Sequence, residues 1–571
     1  MKITVLRNGT IYTLDPSQPV AQAMAIRGER IIAVGDETTV RAAAGTQVEE
    51  IDLGGRAVVP GLTDAHVHIV LHGLARQQVR LTGCTDFAMA LDQIAVAAQR
   101  LPPGAWLRGN GWDHTLWGGR WPTRTDLDRV CPDRPAMLSR KDGHSLWVNS
   151  RALELAGITA ATPDPDGGQI QRDELGEPTG ILLETAMELV RAIVPPPTRA
   201  ERLAALQLAI REALSYGLTS LHVPPATNPA DGPDTLIDLQ ALRAAGHLTI
   251  RVLAHIAGAH LDHAIGLGLR SGLGDDWLRI GGLKLFADGS LGSESAHMLT
   301  PYEGRDHTGI AVIPPAEMKE IVTRANAHGI SVVVHAIGDA ANRSVLDAIA
   351  AARPTAAHLA MPNRIEHAQI LAPTDIPRFA ELGVIASMQP IHCTADMVMA
   401  ERLWGTRCAT SYAWRSLLNA GATLAFGSDA PVETLDPWAG IHAATTRQTT
   451  DGTPINGWYP EQRLTVAEAL AAYCIGPAIA EAAAERKGRL MPGMLADLVV
   501  LNNDPFQLPV SHLHTVRAEL TMVGVEDSYL REIEMQRVQR QVTQRRRGHR
   551  GAKGATCRGT ARRAPMKGKG R

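Results

Sequence analysis

Residues 57–68 read AVVPGLTDAHVH, an apolar run broken by Pro-Gly and closed by Asp64, His66 and His68. Taken as a strand, Ala65 to Val70 alternates its side chains with period two, so His66 and His68 share one face and reach one cation. A strand that carries two histidines for packing is the competing reading, because one His pair falls short of a ligand set. The decision rests on whether other apolar strands end in further metal-binding groups. Seven more strand-like segments follow: Thr219 to Val223, Thr249 to Ile256, Gly282 to Phe286, Ser331 to His335, Arg364 to His367, Gly383 to Gln389 and Thr423 to Asp429. Helical Ala/Leu-rich stretches, among them 202–216, 315–328 and 340–352, alternate with them. Eight strands alternating with helices, with polar residues at the strand ends, predict an α/β fold, a (β/α)8 TIM-like barrel.

Working outward, residues 1–58 read as short strands separated by Asn8-Gly9, Arg27-Gly28 and Gly54-Gly55, the pattern of small antiparallel sheets. Matching segments return at 493–501 and near 516–523. The two ends of the chain are therefore expected to build one β-sandwich, as 1–58 and 481–525, beside a barrel of 59–480. The stretch 80–200 is too long for a strand-to-helix connection and reads as an inserted subdomain. It holds Trp106, Trp112, Trp117, Trp121 and Trp147, five of ten tryptophans in a chain with only five phenylalanines. These rings either fill the insertion's own core or form a wall against an apolar substrate group. The wall is placed at Trp112, Asp113 and Trp117.

The formal charge of -2 hides an uneven distribution. Arg540 to Arg571 carries 12 Lys/Arg and no Asp/Glu; without it, 45 basic residues face 59 acidic ones, a body near -14. An acidic body argues against a nucleic-acid-binding core, leaving only the basic tail, 526–571, as a solvated and disordered arm or an artefact. No apolar run reaches about 18 residues and no charged start leads into an apolar segment, so neither a membrane span nor secretion is indicated. Six scattered cysteines without a CxxC pair read as cytoplasmic buried thiols. Homo-oligomerisation stays open.

Further candidate ligands sit at the strand ends. Lys284 interrupts the apolar run GLKLF; burial there is costly unless the amine is neutralised, paired with Asp288, led to the surface or modified. Reaction with CO2 would make it a carbamate able to bridge two cations. His335 ends VVVH, His367 ends RIEH, and Asp429 follows Gly427-Ser428. A single such histidine is more often a satisfied core residue, and such an aspartate often caps a helix. Their recurrence on successive strands favours ligation. His222 ends the second strand, yet nothing ties it to the others, and it reads as structural.

The ordered motifs DAHVHI, GWDHTLWGGRWPTR, DGHSLWVNSRAL, GLKLFADGSLGS, VVVHAIGDAAN, RIEHAQ, SMQPIHCTAD and FGSDAPV resemble the amidohydrolase superfamily over residues 1 to about 524. The similarity is greater still to its YtcJ-like branch, which includes the N-substituted formamide deformylases. Resemblance implies two divalent metals, zinc by preference with iron or manganese as alternatives. His66 and His68 would hold one, His335 and His367 the other, a carbamylated Lys284 would bridge them, and Asp429 would bind the first and act as general base. It also implies Asp142, His144, Gln389 and His392, along with Asp288, as pocket residues. The implied activity is hydrolysis of a non-peptide C–N bond in a small molecule by metal-activated hydroxide, an N-substituted formamide being the named example. A lactone, ester or cyclic imide on the same site is the alternative, and a non-catalytic scaffold the remote one. After Gly524 the chain departs from the family pattern and runs into the basic tail.

Overall fold

The computed structural model describes residues 3–102, 104–140, 145–226, 232–356 and 358–524. The described residues form two compact units, one within 3–61, 485–504 and 519–524, the other within 62–484 and 505–518.

In the first unit, a four-stranded sheet runs in the order Arg30–Gly35, Ala23–Arg27, Ile3–Arg7 and Val48–Asp52. A second sheet is ordered Ala518–Met522, Leu498–Leu501, Ala57–Pro60, Thr10–Tyr12 and Val20–Ala21. Strands from both ends of the chain thus pair directly, Val58 opposite Val500. Leu6, Ile11, Met24, Ile26, Val58, Leu498, Val500 and Met522 fill the space between the sheets, as alternating inward faces require.

The second unit contains eight parallel strands in sequence order: Leu62–Asp64, Leu218–Val223, Arg251–Ala257, Leu278–Phe286, Val332–Ala336, Arg364–His367, Ile385–Met388 and Leu424–Phe426. The Ala65 N–H donates to the Phe426 carbonyl at 3.0 Å, joining the two edge strands and closing a TIM-like barrel. Strands such as Leu218–Val223 are buried on both faces, which explains their continuous apolar character. Some of the helices start on side-chain caps: Thr198 and Glu201 form a reciprocal capping box ahead of Arg199–Ser215, whereas Asp234–Ala244 and Asp339–Ala352 have none. The barrel register sets Phe286 beside His335, His335 beside Glu366, and Ala336 beside His367, so polar groups converge at the carboxyl ends.

One expectation fails here. The first barrel strand is Leu62–Asp64, not Ala65 to Val70, and a helix occupies Ile69–Gln77. His66 and His68 therefore do not share a face through strand alternation. They lie in a turn held by backbone bonds, Val67 N–H to the His222 carbonyl at 3.1 Å and His68 N–H to that of Ala430 at 3.0 Å.

The insertion between the first two barrel strands forms its own six-stranded sheet, ordered Gly168–Arg172, Pro178–Glu184, Ser145–Val148, Ala136–Arg140, Leu107–Trp112 and Val79–Arg80. No helix among the described residues is long and apolar enough to cross a membrane.

Candidate metal centre

Two edge turns of the barrel meet through Asp64. Its buried Oδ1 accepts from the backbone N–H groups of His66 and Ser428, both at 3.0 Å, tying the turn after the first strand to the turn after the last. Gly427 fits between them because a Cβ would lie 2.5 Å from the His66 nitrogen and 2.6 Å from Asp64 Oδ1. Asp429 follows with φ of 58°, and its N–H donates to the His66 carbonyl at 2.7 Å.

The carboxylate so placed serves two groups of imidazoles. His66, His68 and Asp429 bring their donor atoms within 4.8 Å of one another, as do His367, His392 and Asp429. Asp429 Oδ1 lies 3.5 Å from His66 Nε2 and 3.4 Å from His68 Nε2, while Oδ2 is 3.7 Å from His392 Nε2. His66 Nε2 and His392 Nε2 are buried with no hydrogen-bond partner among the described residues. Burial raises the Asp429 pKa, but the bond from His68 and the facing His66, His367 and His392 outweigh it and hold the carboxyl well below its usual range. Burial and Lys284 push His66 down to about 4, and burial pushes His367 well below its ordinary value. Imidazole nitrogens facing a carboxylate are the donor set a divalent cation takes.

Two of the rings are oriented from behind. His66 Nδ1 meets Glu366 Oε2 at 2.5 Å, and His367 Nδ1 meets Gln389 Oε1 at 2.8 Å. Both contacts require a proton on Nδ1 and leave Nε2 as the free lone pair. His335 stands beside His367, ring centroids 4.6 Å apart, with its Nε2 on the Gly289 carbonyl at 2.9 Å. It belongs to neither donor cluster, whereas His392 does. Lys284 is 2% exposed, its Nζ 4.8 Å from the Phe286 ring centroid, and burial lowers its pKa to about 8.

Comparison with known proteins agrees with this architecture. The amidohydrolase family pattern matches residues 49–524. Protein LONG AFTER FAR-RED 3 of Arabidopsis thaliana is 36% identical over 89% of this chain and 89% of its own. The N-substituted formamide deformylase of Arthrobacter pascens is 31% identical over 92% of this chain and 97% of its own. An uncharacterized metal-dependent hydrolase of Pyrococcus furiosus superposes with a TM-score of 0.73 at 32% identity, covering 88% of this chain and all of that one. The chain belongs to the amidohydrolase family.

In this amidohydrolase, several residues expected to contact substrate do other work. Trp112 is fully buried and donates its indole N–H to the Leu138 carbonyl at 2.8 Å; Trp117 donates to that of Cys84 at 3.0 Å. With Trp147 they form the insertion's core, so these two rings are not a wall. The buried Asp113 starts the short helix His114–Trp117 by accepting from the Thr115 N–H and hydroxyl. Trp112→Phe is accordingly expected to cost about 1–2 kcal/mol in denaturant unfolding, through the lost N–H bond and ring volume, with KM unchanged. A shift in KM at constant stability would restore the wall.

Asp288 is also buried, and its carboxylate accepts from the backbone N–H groups of Ile337, Gly338 and His297 at 3.0, 2.8 and 2.9 Å. These bonds pin the loop after the fourth strand beside His335. Gln389 orients His367, and His392 joins the second candidate donor cluster. Asp142 and His144 lie outside the described residues.

Sequence reasoning passed over Glu366 and Arg364, although both appeared in the quoted RIEH. The available signal was two opposite charges at i and i+2 on a four-residue strand buried throughout.

Proposed function

We propose that this amidohydrolase cleaves a non-peptide C–N bond in a small amide, with an N-substituted formamide as the substrate class to test first. The observation that carries this reading is the Asp429 carboxylate, held well below its usual range and shared by two histidine pairs, His66 with His68 and His367 with His392. His66, His68 and Asp429 would hold one divalent cation. His367, with His335 or His392, would hold a second, and Lys284 as a carbamate would bridge them. The depressed Lys284 pKa supports this last assignment, because only the free amine reacts with CO2. When bound, such cations supply Lewis acidity and lower the pKa of water toward neutrality.

The remaining steps belong to the chain. Asp429 accepts the proton of the attacking water on a carboxylate oxygen and delivers it to the leaving nitrogen. Glu366 and Gln389 keep the Nδ1 protons of His66 and His367 turned away from the reacting centre. The resemblance to the Arthrobacter pascens deformylase supports the substrate class.

Metal analysis of protein purified without chelator, followed by a panel of formamides, acetamides and lactones on the same sample, tests the proposal. About one to two zinc, iron or manganese ions per chain are expected, with formamides turned over fastest. Faster lactone hydrolysis would reassign the electrophile. Absence of metal, with no activity restored by divalent cations, would reject the mechanism.

A further inference from the structure

The barrel interior beneath the candidate centre is not packed with aliphatic side chains. Arg364 and Glu366, i and i+2 on the sixth strand, point inward together and are 2% and 0% exposed. Arg364 Nε donates to Glu366 Oε1 at 2.5 Å, and Nη2 donates to Glu366 Oε2 at 3.1 Å, the Ala65 carbonyl at 2.6 Å and Ser387 Oγ at 2.6 Å. Its Nη1 reaches His222 Nδ1 at 2.9 Å. Glu366 Oε2 also accepts from Ser387 Oγ at 2.7 Å and meets His66 Nδ1 at 2.5 Å. The network spans the first, second, sixth and seventh strands or the turns after them, with all three guanidinium nitrogens engaged.

A buried ion pair of this kind contributes little net stability, because desolvation offsets the attraction. Well-packed apolar residues would fill the same space at least as well. Its geometry points to a different use. The guanidinium fixes both carboxylate oxygens, and Oε2, held also by Ser387 Oγ, is the one that meets His66 Nδ1. The Ala65 carbonyl, one residue before His66, is held by the same Arg364 nitrogen.

We propose that Arg364 and Glu366 form a positioning pair that fixes the ring and backbone of His66 and locks its Nδ1–H tautomer, presenting Nε2 as a strengthened donor to the cation. The inference rests on the metal-centre reading above and goes beyond it: neither residue touches the cation, yet together they set affinity for it. A carboxylate behind a ligating imidazole orients the ring and raises its basicity, and its loss commonly lowers metal affinity by about 10–100-fold.

Chelator competition with zinc and histidine-selective 15N NMR of the full chain test the proposal. Glu366→Gln is expected to weaken zinc binding by about 10–100-fold and to shift His66 from a single Nδ1–H tautomer to a mixture. Glu366→Asp keeps the charge and should recover part of the affinity. Because Glu366→Gln leaves a buried guanidinium unpaired and can unfold the chain, Arg364→Met/Glu366→Gln removes both charges together. This double variant should match the native chain in denaturant midpoint and still bind zinc weakly. Native-like zinc affinity in the folded double variant, or an unchanged His66 tautomer in Glu366→Gln, would overturn the positioning role. His66→Ala separates the two levels of the argument. If it binds zinc like the native chain, the metal centre itself is wrong. If it loses zinc while Glu366→Gln does not, only the pair's role fails.

Discussion

An Asp429→Asn variant is expected to lose kcat/KM by about 10²–10⁴-fold on the best amide of the panel while keeping its fold. Asparagine has nearly the shape of aspartate but neither the charge nor the second anionic oxygen. Both oxygens are in use: Oδ1 lies 3.5 and 3.4 Å from His66 and His68 Nε2, and Oδ2 lies 3.7 Å from His392 Nε2. One substitution thus removes the donor common to both clusters and the acceptor for the attacking water's proton. The turn itself does not depend on the carboxylate. Backbone bonds from Asp429 N–H to His66 O at 2.7 Å, and from Val432 N–H to Asp429 O at 2.9 Å, remain. Asparagine also tolerates the φ of 58° better than most residues. Denaturant midpoint and circular dichroism should therefore match the native chain while turnover and bound metal fall together. Turnover within tenfold of native, with metal retained, would remove Asp429 from the base role.

Much of the barrel was legible because a buried parallel strand leaves a distinctive trace: a short apolar run ending in a polar residue. Val332–Ala336 and Arg364–His367 coincide with their expected ranges to within a residue. The opening segment misled because period two was applied to residues that form a turn. His66 and His68 still converge, ring centroids 5.4 Å apart, because the turn's N–H groups donate to Asp64 locally and to the His222 and Ala430 carbonyls that the closed barrel brings near. Tryptophan placement was illegible for a related reason. A cluster of rings in sequence has the same composition whether it faces solvent, substrate or itself, and only the six-stranded insertion sheet turns Trp112 inward. Gln389 and His392, expected as pocket residues, instead meet His367 Nδ1 and join a candidate donor cluster, because a strand end and the following helix bring several polar groups to one point. Spacing does not rank them. The charges at 364 and 366 could have been noticed, since two opposite charges on one face of a buried strand demand partners.

Arg447→Ala is expected to destabilise the chain by about 3–5 kcal/mol in chemical denaturation, although residue 447 contacts none of the candidate ligands. Arg447 ends the helix Pro437–Thr446, which starts eight residues after Asp429, and adopts φ of 53° there. Its side chain is fully buried and pairs with no carboxylate among the described residues. Instead its guanidinium donates to three backbone carbonyls: Trp458 through Nε, Tyr412 at 2.9 Å and Ser411 at 3.3 Å. Trp414 and Trp458 sandwich it, their ring centroids 4.7 and 5.2 Å from Cζ. The Tyr412 hydroxyl in turn donates to Asp396 at 2.6 Å, on the helix that carries His392. Alanine would strip a donor from three carbonyls, of which Tyr412 keeps the Trp414 N–H, and would leave a cavity between two indoles. Lysine keeps the charge and one donor direction but not the planar fork, so it should recover only part of the loss. Metal affinity separates this role from that of Glu366. In the fraction that stays folded, Arg447→Ala should bind zinc like the native chain, because the clamp supports the elements around His392 without orienting any ligand ring. A destabilisation below about 1 kcal/mol would mean that water replaces the guanidinium at those carbonyls.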